Sequence, residues 1–334
     1  MHKALLQVMS PRGRSARLSI LIFHRVLQVP DPIFPDEVDA LRFDAICRWL
    51  KDWHNVLPLN EAVRRLEQGD LPARVVSITF DDGYADNHDV ALPILLRHGL
   101  SATFFVASGF LDGGCMWNDC VVEALRQCPG DTLDLPGHLP LTSHRFDIGS
   151  WAAKRRAIDQ LLPAIKHQAL KVRLESAQAI VRTAGAALPT HLMMTSAQVA
   201  LLARAGMTLG GHTVNHPILA RLPEAEAFDE LLDGKQALEA ITQQPVELLA
   251  YPNGRPDVDY TAREIKLAAR AGFKAAVSTS CGVSRMGADV YQLPRFTPWD
   301  QGRLRFGLRM ALNVSSTVRL SQLQTLPTDD ATPL

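Results

Sequence analysis

The chain has no surplus of either charge. Its 334 residues carry 35 Lys+Arg and 35 Asp+Glu, so the formal net charge is zero. No global field exists to draw in nucleic acid or an anionic membrane, and a nucleic-acid role would need a local patch. No basic run is longer than Lys154-Arg155-Arg156. That trio shares a helical stretch with Trp151, Ile158 and Leu161 and reads as a solvated face. Cysteine is scarce: Cys47, Cys115, Cys120, Cys128 and Cys281 are irregularly spaced and form no C-x-x-C pair. This argues against a disulfide framework and a zinc knuckle, and for buried thiols in a reducing compartment. No stretch approaches the ~20 apolar residues of a membrane span. The apolar run near Met1 is too short for a secretory signal, and no small-residue cleavage site follows it. The expectation is a cytoplasmic enzyme with no transmembrane segment. No internal repeat is found.

What the chain does have is enough apolar residue, 47%, to fill one large barrel-like domain or two ordinary ones. Short apolar runs followed by turns or helical patterns predict strands at 18–23, 75–80, 102–107, 207–210, 248–250, 275–278 and 290–293. Helical spacing falls between them at 44–53, 86–98 (with a kink at Pro93), 196–205, 224–242 and 261–271. Strands alternating with helices predict an α/β fold with a largely parallel sheet. The rhythm breaks at 108–194, an insertion with helices near 117–126 and 150–169 and a polar, turn-rich stretch at 136–143. The insertion either lines a substrate groove or only packs and solubilises. The domain reading is an arm over 1–17, one barrel domain over 18–320, and a disordered polar tail over 321–334.

The residues able to do chemistry sort to one place. His24, Asp81, Asp82, His212, Asn253 and Arg295 each lie just beyond the C-terminal end of a predicted strand, the rim on which α/β barrels build active sites. Asp81-Asp82-Gly83 leaves an apolar strand through a glycine turn. Two adjacent buried carboxylates are costly unless a cation neutralises them. Their side chains leave the strand in different directions, so one can hold a metal while the other faces its water. His212 and His216 are four apart; if the segment turns helically after Gly211, both face one ion. An Asp and two His with a spare Asp suit a hydrolytic metal site. Each piece alone has a plainer reading, an Asp-Gly surface turn or two surface histidines; the combination favours the metal.

Thr79-Phe80-Asp81-Asp82-Gly83 and His212-Thr213-Val214-Asn215-His216 resemble the first two signature motifs of the polysaccharide deacetylases, the NodB-homology carbohydrate esterases. The likeness extends through Pro93-Ile94-Leu95, Ala102 to Val106 and Ala205-Gly206-Met207, covering roughly 18–109 and 195–298. It implies a distorted (β/α) barrel with a central helical insertion. It implies Asp81 as base and Asp82, His212 and His216 as ligands of one divalent ion, zinc first, with cobalt, nickel or manganese as alternatives. The family's third motif, Arg-x-Pro-Tyr-Gly, here reads Ala250-Tyr251-Pro252-Asn253-Gly254. The backbone N–H of Asn253 is then the oxyanion donor. The motif's arginine is missing; Arg295 either replaces it or makes a surface ion pair. The family's late Leu-His motif is not evident. Phe23-His24-Arg25-Val26 resembles the Tyr-His-x-Val start of the poly-N-acetylglucosamine deacetylase branch, which makes His24 the acid. A lone histidine at a strand end is otherwise a structural hydrogen-bonder.

The resemblance thus implies metal-dependent removal of N-acetyl groups from a polysaccharide, oligosaccharide or lipid-linked amino sugar. A carbohydrate is the expected partner, with Trp117 and Trp299 available for stacking on a sugar ring. Sugar O-deacetylation or deformylation, and a carbohydrate-binding pseudoenzyme, stand as alternatives.

Overall fold

The computed structural model describes residues 2–297 and 301–315. The tail expected at 321–334 and Trp299 lie outside the described residues. The first third of the chain runs α1 (His2–Met9), β1 (Ser19–Phe23), α2 (Ala40–Trp53), β2 (Asn55–Val56), α3 (Leu59–Gln68), β3 (Val75–Phe80), α4 (Leu92–His98) and β4 (Thr103–Val106). The middle holds α5 (Trp117–Gln127), β5 (Thr132–Asp134), β6 (Arg145–Asp147), α6 (Trp151–Lys166) and α7 (Leu170–Ala184). The last third is α8 (Ser196–Arg204), β7 (Thr208–Gly211), α9 (Glu224–Thr242), β8 (Leu248–Ala250), α10 (Ala262–Arg270), β9 (Ala275–Val277) and α11 (Arg303–Ser315).

Strands β1, β3, β4, β7, β8 and β9 lie side by side in that order, all parallel, and β2 pairs with the first two residues of β3. β1, β3, β4, β8 and β9 are buried at every residue, which is why they read as continuous apolar runs. Alternate side chains divide between two cores. Leu21, Phe23, Phe80, Phe104 and Leu249 pack outward under the helices. Ile20, Phe105, Leu248, Ala250 and Val277 fill the other face. Gly210 lets the sheet curl, because a Cβ there would lie 2.3 Å from Cδ1 of Phe105.

The strand expected at 290–293 does not form. Val290–Gln292 is a single 3-10 turn, started by Asp289, whose side chain accepts the Tyr291 N–H. An acceptor side chain at the turn start gives the backbone a local partner and competes with the ladder. The chain reaches the sheet just after: Leu293 bridges Val277 of β9, and Phe296 bridges Leu21 of β1, both parallel. Segment 293–296 therefore spans the two edge strands and completes a distorted (β/α) barrel. Arg295 rides on that closing segment.

Segment 108–194 carries its own core of Val121, Leu125, Phe146, Ile158, Leu161 and Ile180, joined by Ile33 and Phe34. The polar stretch at 136–143 is the connection of an antiparallel hairpin, β5 with β6. The Lys154-Arg155-Arg156 trio is not wholly solvated. Lys154 is buried and donates to the carbonyls of Arg126 and Cys128 at the end of α5. The helix expected over 86–98 forms as one continuous run, a π-helical turn at Asn87–Ala91 leading directly into α4, and the irregular turn falls just before Pro93, where the ladder lacks an N–H. Helix α3 was not anticipated, although Leu59, Ala62, Val63 and Leu66 are buried at helical spacing.

One buried group makes stability pH-dependent. His54, the C-cap residue of α2, is buried, with Nδ1 3.2 Å from the Arg74 carbonyl and Nε2 unpartnered. Burial lowers its pKa to about 4, against the smaller opposing pull of that carbonyl. The unfolded chain takes up this proton near pH 6.5 and the folded chain only near 4, so stability falls as pH drops through that window. The expected loss is about 3 kcal/mol across the window. Urea melts of His54→Asn, whose Nδ2 can reach the same carbonyl, should lack this slope. An unchanged slope would remove His54 from the account.

Candidate metal and catalytic centre

Asp81 and Asp82 follow β3, and consecutive residues of a regular strand would point to opposite faces. The chain avoids this by placing Asp82 at φ +75° and Gly83 at φ +95°. The left-handed conformation costs an aspartate about 1–2 kcal/mol. Three backbone bonds hold it: Asp81 N–H to Phe23 O, Ala107 N–H to Asp82 O, and Met194 N–H to Gly83 O, at 2.9, 3.2 and 2.9 Å. Gly83 is required, because a Cβ there would lie 2.9 Å from Val106 Cγ1.

The loop after β7 is not the helical turn that the His-x-x-x-His spacing suggests. Thr213 and His216 both have positive φ, +65° and +51°. The Thr213 hydroxyl accepts the His216 N–H at 3.0 Å, closing the turn. The result is nevertheless convergence. His212 Nε2 lies 3.3 Å and His216 Nε2 3.5 Å from Asp82 Oδ1. These three ligand atoms all lie within 4.8 Å of one another.

Their chemistry fits a cation. His212 Nδ1 lies 2.7 Å from the Ala250 carbonyl, which can only accept, so Nδ1 carries a proton. A neutral His212 then turns a bare Nε2 lone pair toward Asp82. Asp82 Oδ1 is buried and has no hydrogen-bond partner. Without a cation the group has to borrow a proton. Burial opposes a charge on His212, but Asp82 and Asp81 outweigh it and hold this imidazole above its ordinary pKa. Burial and the neighbouring His212 lower His216 to about 3. Against the push of burial, His212, His216 and His24 hold the Asp82 carboxyl far below the usual range.

Arg295 meets Asp81 inside the barrel. Its two terminal nitrogens each donate to one Asp81 oxygen at 2.7 Å, and Nε donates to Ser278 O at 3.1 Å. Burial alone would raise Asp81; the Arg295 charge, with His212 behind it, holds the carboxyl below its ordinary range. The surface ion pair considered for Arg295 is thereby corrected, since its side chain is fully buried. His24 follows β1, half-buried and within electrostatic reach of both carboxylates. Asn253 lies on the loop after β8 at φ +59°, with its carbonyl accepting from the Thr279 hydroxyl. That loop begins at the same Ala250 carbonyl that fixes His212.

A sequence profile described as polysaccharide deacetylase matches residues 68–127 and 143–276. The chain belongs to the polysaccharide deacetylase family. It is accordingly a hydrolase of the deacetylase type. YxkH of Bacillus subtilis (strain 168), which carries the same family in its name, is 24% identical over 284 residues, 84% of this chain and 71% of its own. Among solved structures, the Streptococcus pyogenes deacetylase PplD superposes with a TM-score of 0.58 at 22% identity, over 84% of this chain and 92% of its own. IcaB from Ammonifex degensii gives 0.57 at 18%, over 89% and 98%. A de-N-acetylase from Aggregatibacter actinomycetemcomitans gives 0.55 at 16%, over 87% and 99%. These likenesses establish the fold.

Four residues of this deacetylase that motif reading passed over complete the surroundings. Glu230, on α9, accepts the N–H groups of Val214 and Asn215 at 2.9 and 2.8 Å and the Asn215 amide at 2.7 Å. One turn on, Gly234 lets α9 close on the loop, since a Cβ there would lie 2.8 Å from the Thr213 carbonyl carbon. The signal was present as an acid in an otherwise ordinary amphipathic helix, but nothing local ties it to residues 15 and 16 positions earlier. Tyr84 is buried two residues past Asp82, and its hydroxyl donates to Asp119 of α5, 3.1 Å from either oxygen. Burial raises the Asp119 carboxyl to about 7, with Arg25 opposing and Asp82 adding. The insertion is thus stitched to the Asp82 turn. Trp117, one candidate for sugar stacking, has the Arg173 guanidinium 5.3 Å over its ring, so that face is already covered.

Proposed function

We propose that this deacetylase removes N-acetyl groups from a glycan or a lipid-linked amino sugar with the help of one divalent cation. The supporting observation is the convergence of Asp82 Oδ1, His212 Nε2 and His216 Nε2 beside a carboxylate held by a buried arginine. Asp82, His212 and His216 would hold the ion, zinc before cobalt, nickel or manganese. When bound, such an ion polarises the acyl carbonyl and makes water more acidic. Asp81 takes the proton of the attacking water, and Arg295 keeps it ionised and oriented. The Asn253 N–H donates to the developing oxyanion; one such donor is worth about 3 kcal/mol. His24 returns a proton to the departing amine, which is too basic to leave unaided. The de-N-acetylase among the structural relatives is the reason for choosing nitrogen over oxygen.

The test is metal content of the purified chain together with acetate and formate release from N-acetyl, O-acetyl and N-formyl oligosaccharides. We expect one ion per chain, fastest release from the N-acetyl substrate, and loss of rate on chelation that added zinc restores. Full rate in verified metal-free protein, or a preference for O-acetyl, would overturn the reading.

Glu230 should act through the loop it holds. Glu230→Ala should weaken metal binding by about 10–100-fold, as loss of an outer partner does. Glu230→Gln, which keeps acceptor oxygen, should fall between. Competition with a chromophoric chelator measures this directly, and equal affinities would sink the assignment.

A further inference from the structure

We propose that the face formed by α1 and α11 docks on an anionic lipid bilayer. The balanced net charge of the chain hides a local excess. Residues 1–17 contain Lys3, Arg12, Arg14 and Arg17, residues 301–315 contain Arg303, Arg305 and Arg309, and neither segment contains an Asp or Glu. The fold brings the two together: α1 packs on α11, and the Arg17 side chain donates to the Val314 carbonyl. Acid enters from neighbouring elements: Asp52 of α2 pairs with Arg303, and Glu67 of α3 and Asp289 line a surface depression together with Arg14.

The same face is apolar. Helix α11 buries Phe306, Met310 and Val314 against the barrel, as an amphipathic helix should. Its other side is not polar. Leu304, Leu308 and Leu312, at i, i+4 and i+8, are 75%, 58% and 59% exposed. On α1, Leu6 is buried while Leu5 and Val8 remain 49% and 79% exposed. Arg305 and Arg309, both exposed, alternate with these leucines along α11.

Leucines interleaved with arginines on a surface helix suit a bilayer boundary, where the apolar strip enters and the guanidinium groups reach back to anionic headgroups. A second copy is a poorer occupant, because two faces with the same cationic excess repel. Helix α11 has 13 residues, and no helix among the described residues is long and apolar enough to cross a membrane. Docking by this face is therefore in the plane of the bilayer boundary. Asn313 Nδ2 donates to Ser19 Oγ at the start of β1, whereas the candidate site lies past the strands' opposite ends. Docking there leaves the site open.

The experiment is flotation of the full chain with vesicles of phosphatidylcholine alone or mixed with phosphatidylglycerol, at low and high salt. We expect flotation only with the anionic vesicles, declining with salt. Leu308→Asp and Arg305→Glu should each reduce partition about tenfold or more, with unchanged melting temperature. No flotation at low salt, or Leu308→Asp binding like the parent, would overturn the proposal. So would a parent dimer in light scattering that Leu308→Asp splits without vesicle binding, since the face would then be a self-interface. Flotation equal on neutral and anionic vesicles would remove the role of the arginines and overturn it as stated.

Discussion

Arg295→Met should destabilise the fold by about 3–5 kcal/mol near neutral pH, the usual cost of removing one partner of a buried ion pair. The arginine side chain is fully buried and Asp81 is 4% exposed, so water cannot take over. The pH dependence follows from the sign of the Asp81 shift. In the parent, Arg295 holds the folded-state pKa below the ordinary 3.8, so this pair stabilises above that value and the contribution is lost as pH falls. In the variant, burial is opposed only by the more weakly acting His212 and His24, and the folded-state pKa rises. A protonated Asp81 needs no partner, so the gap between parent and variant should narrow toward pH 4 and widen above it. Urea melts at several pH values measure the gap. Arg295→Met/Asp81→Asn should recover part of the loss, because the second change removes the orphaned charge. Deacetylation by the single variant should also require higher pH, since its base ionises later. A variant as stable as the parent at pH 7.5 would mean that the pair contributes nothing.

That pairing also marks where sequence reading stops. The strand ends were legible, because buried parallel strands are uniformly apolar and their C-terminal ends collect the polar residues. Asp81, Asp82, His212 and His216 were legible as a set from two short motifs. The contact between Arg295 and Asp81 joins residues 214 apart. It exists because segment 293–296 closes the ring with backbone bridges rather than a strand. No period of two announces such a segment, so the arginine's position could be offered but not its direction. Glu230 was invisible for a related reason: it binds backbone N–H groups, which have no sequence. The left-handed residues were also hidden. Asp82, Thr213, His216 and Asn253 have positive φ without being glycine, and they make up half of the eight such positions among the described residues. Local preference argues against that conformation at β-branched Thr213, where the surrounding hydrogen bonds have to hold it.

The cation assignment separates two neighbouring aspartates that sequence alone treats as equivalent. Asp82→Asn should lose ion and activity together; Asp81→Asn should keep the ion and lose rate. Asp82 Oδ1 faces both imidazole Nε2 atoms within 3.5 Å, and an amide there is a neutral, weaker donor. The affinity loss should exceed the 10–100-fold typical of outer partners. Thermal melts read this without turnover: zinc at 100 times Kd should stabilise the parent by about 2.7 kcal/mol. Asp82→Asn should show no zinc-dependent shift at that concentration. Asp81→Asn should show the full shift, because Asp81 is occupied by Arg295 and offers the ion nothing. Its deacetylation rate should nevertheless fall by about 10²–10⁴-fold, the range for a positioned general base. If Asp81→Asn lost the zinc shift and Asp82→Asn kept it, the two roles would have to be exchanged, and the left-handed turn at Asp82 would serve the base rather than the cation.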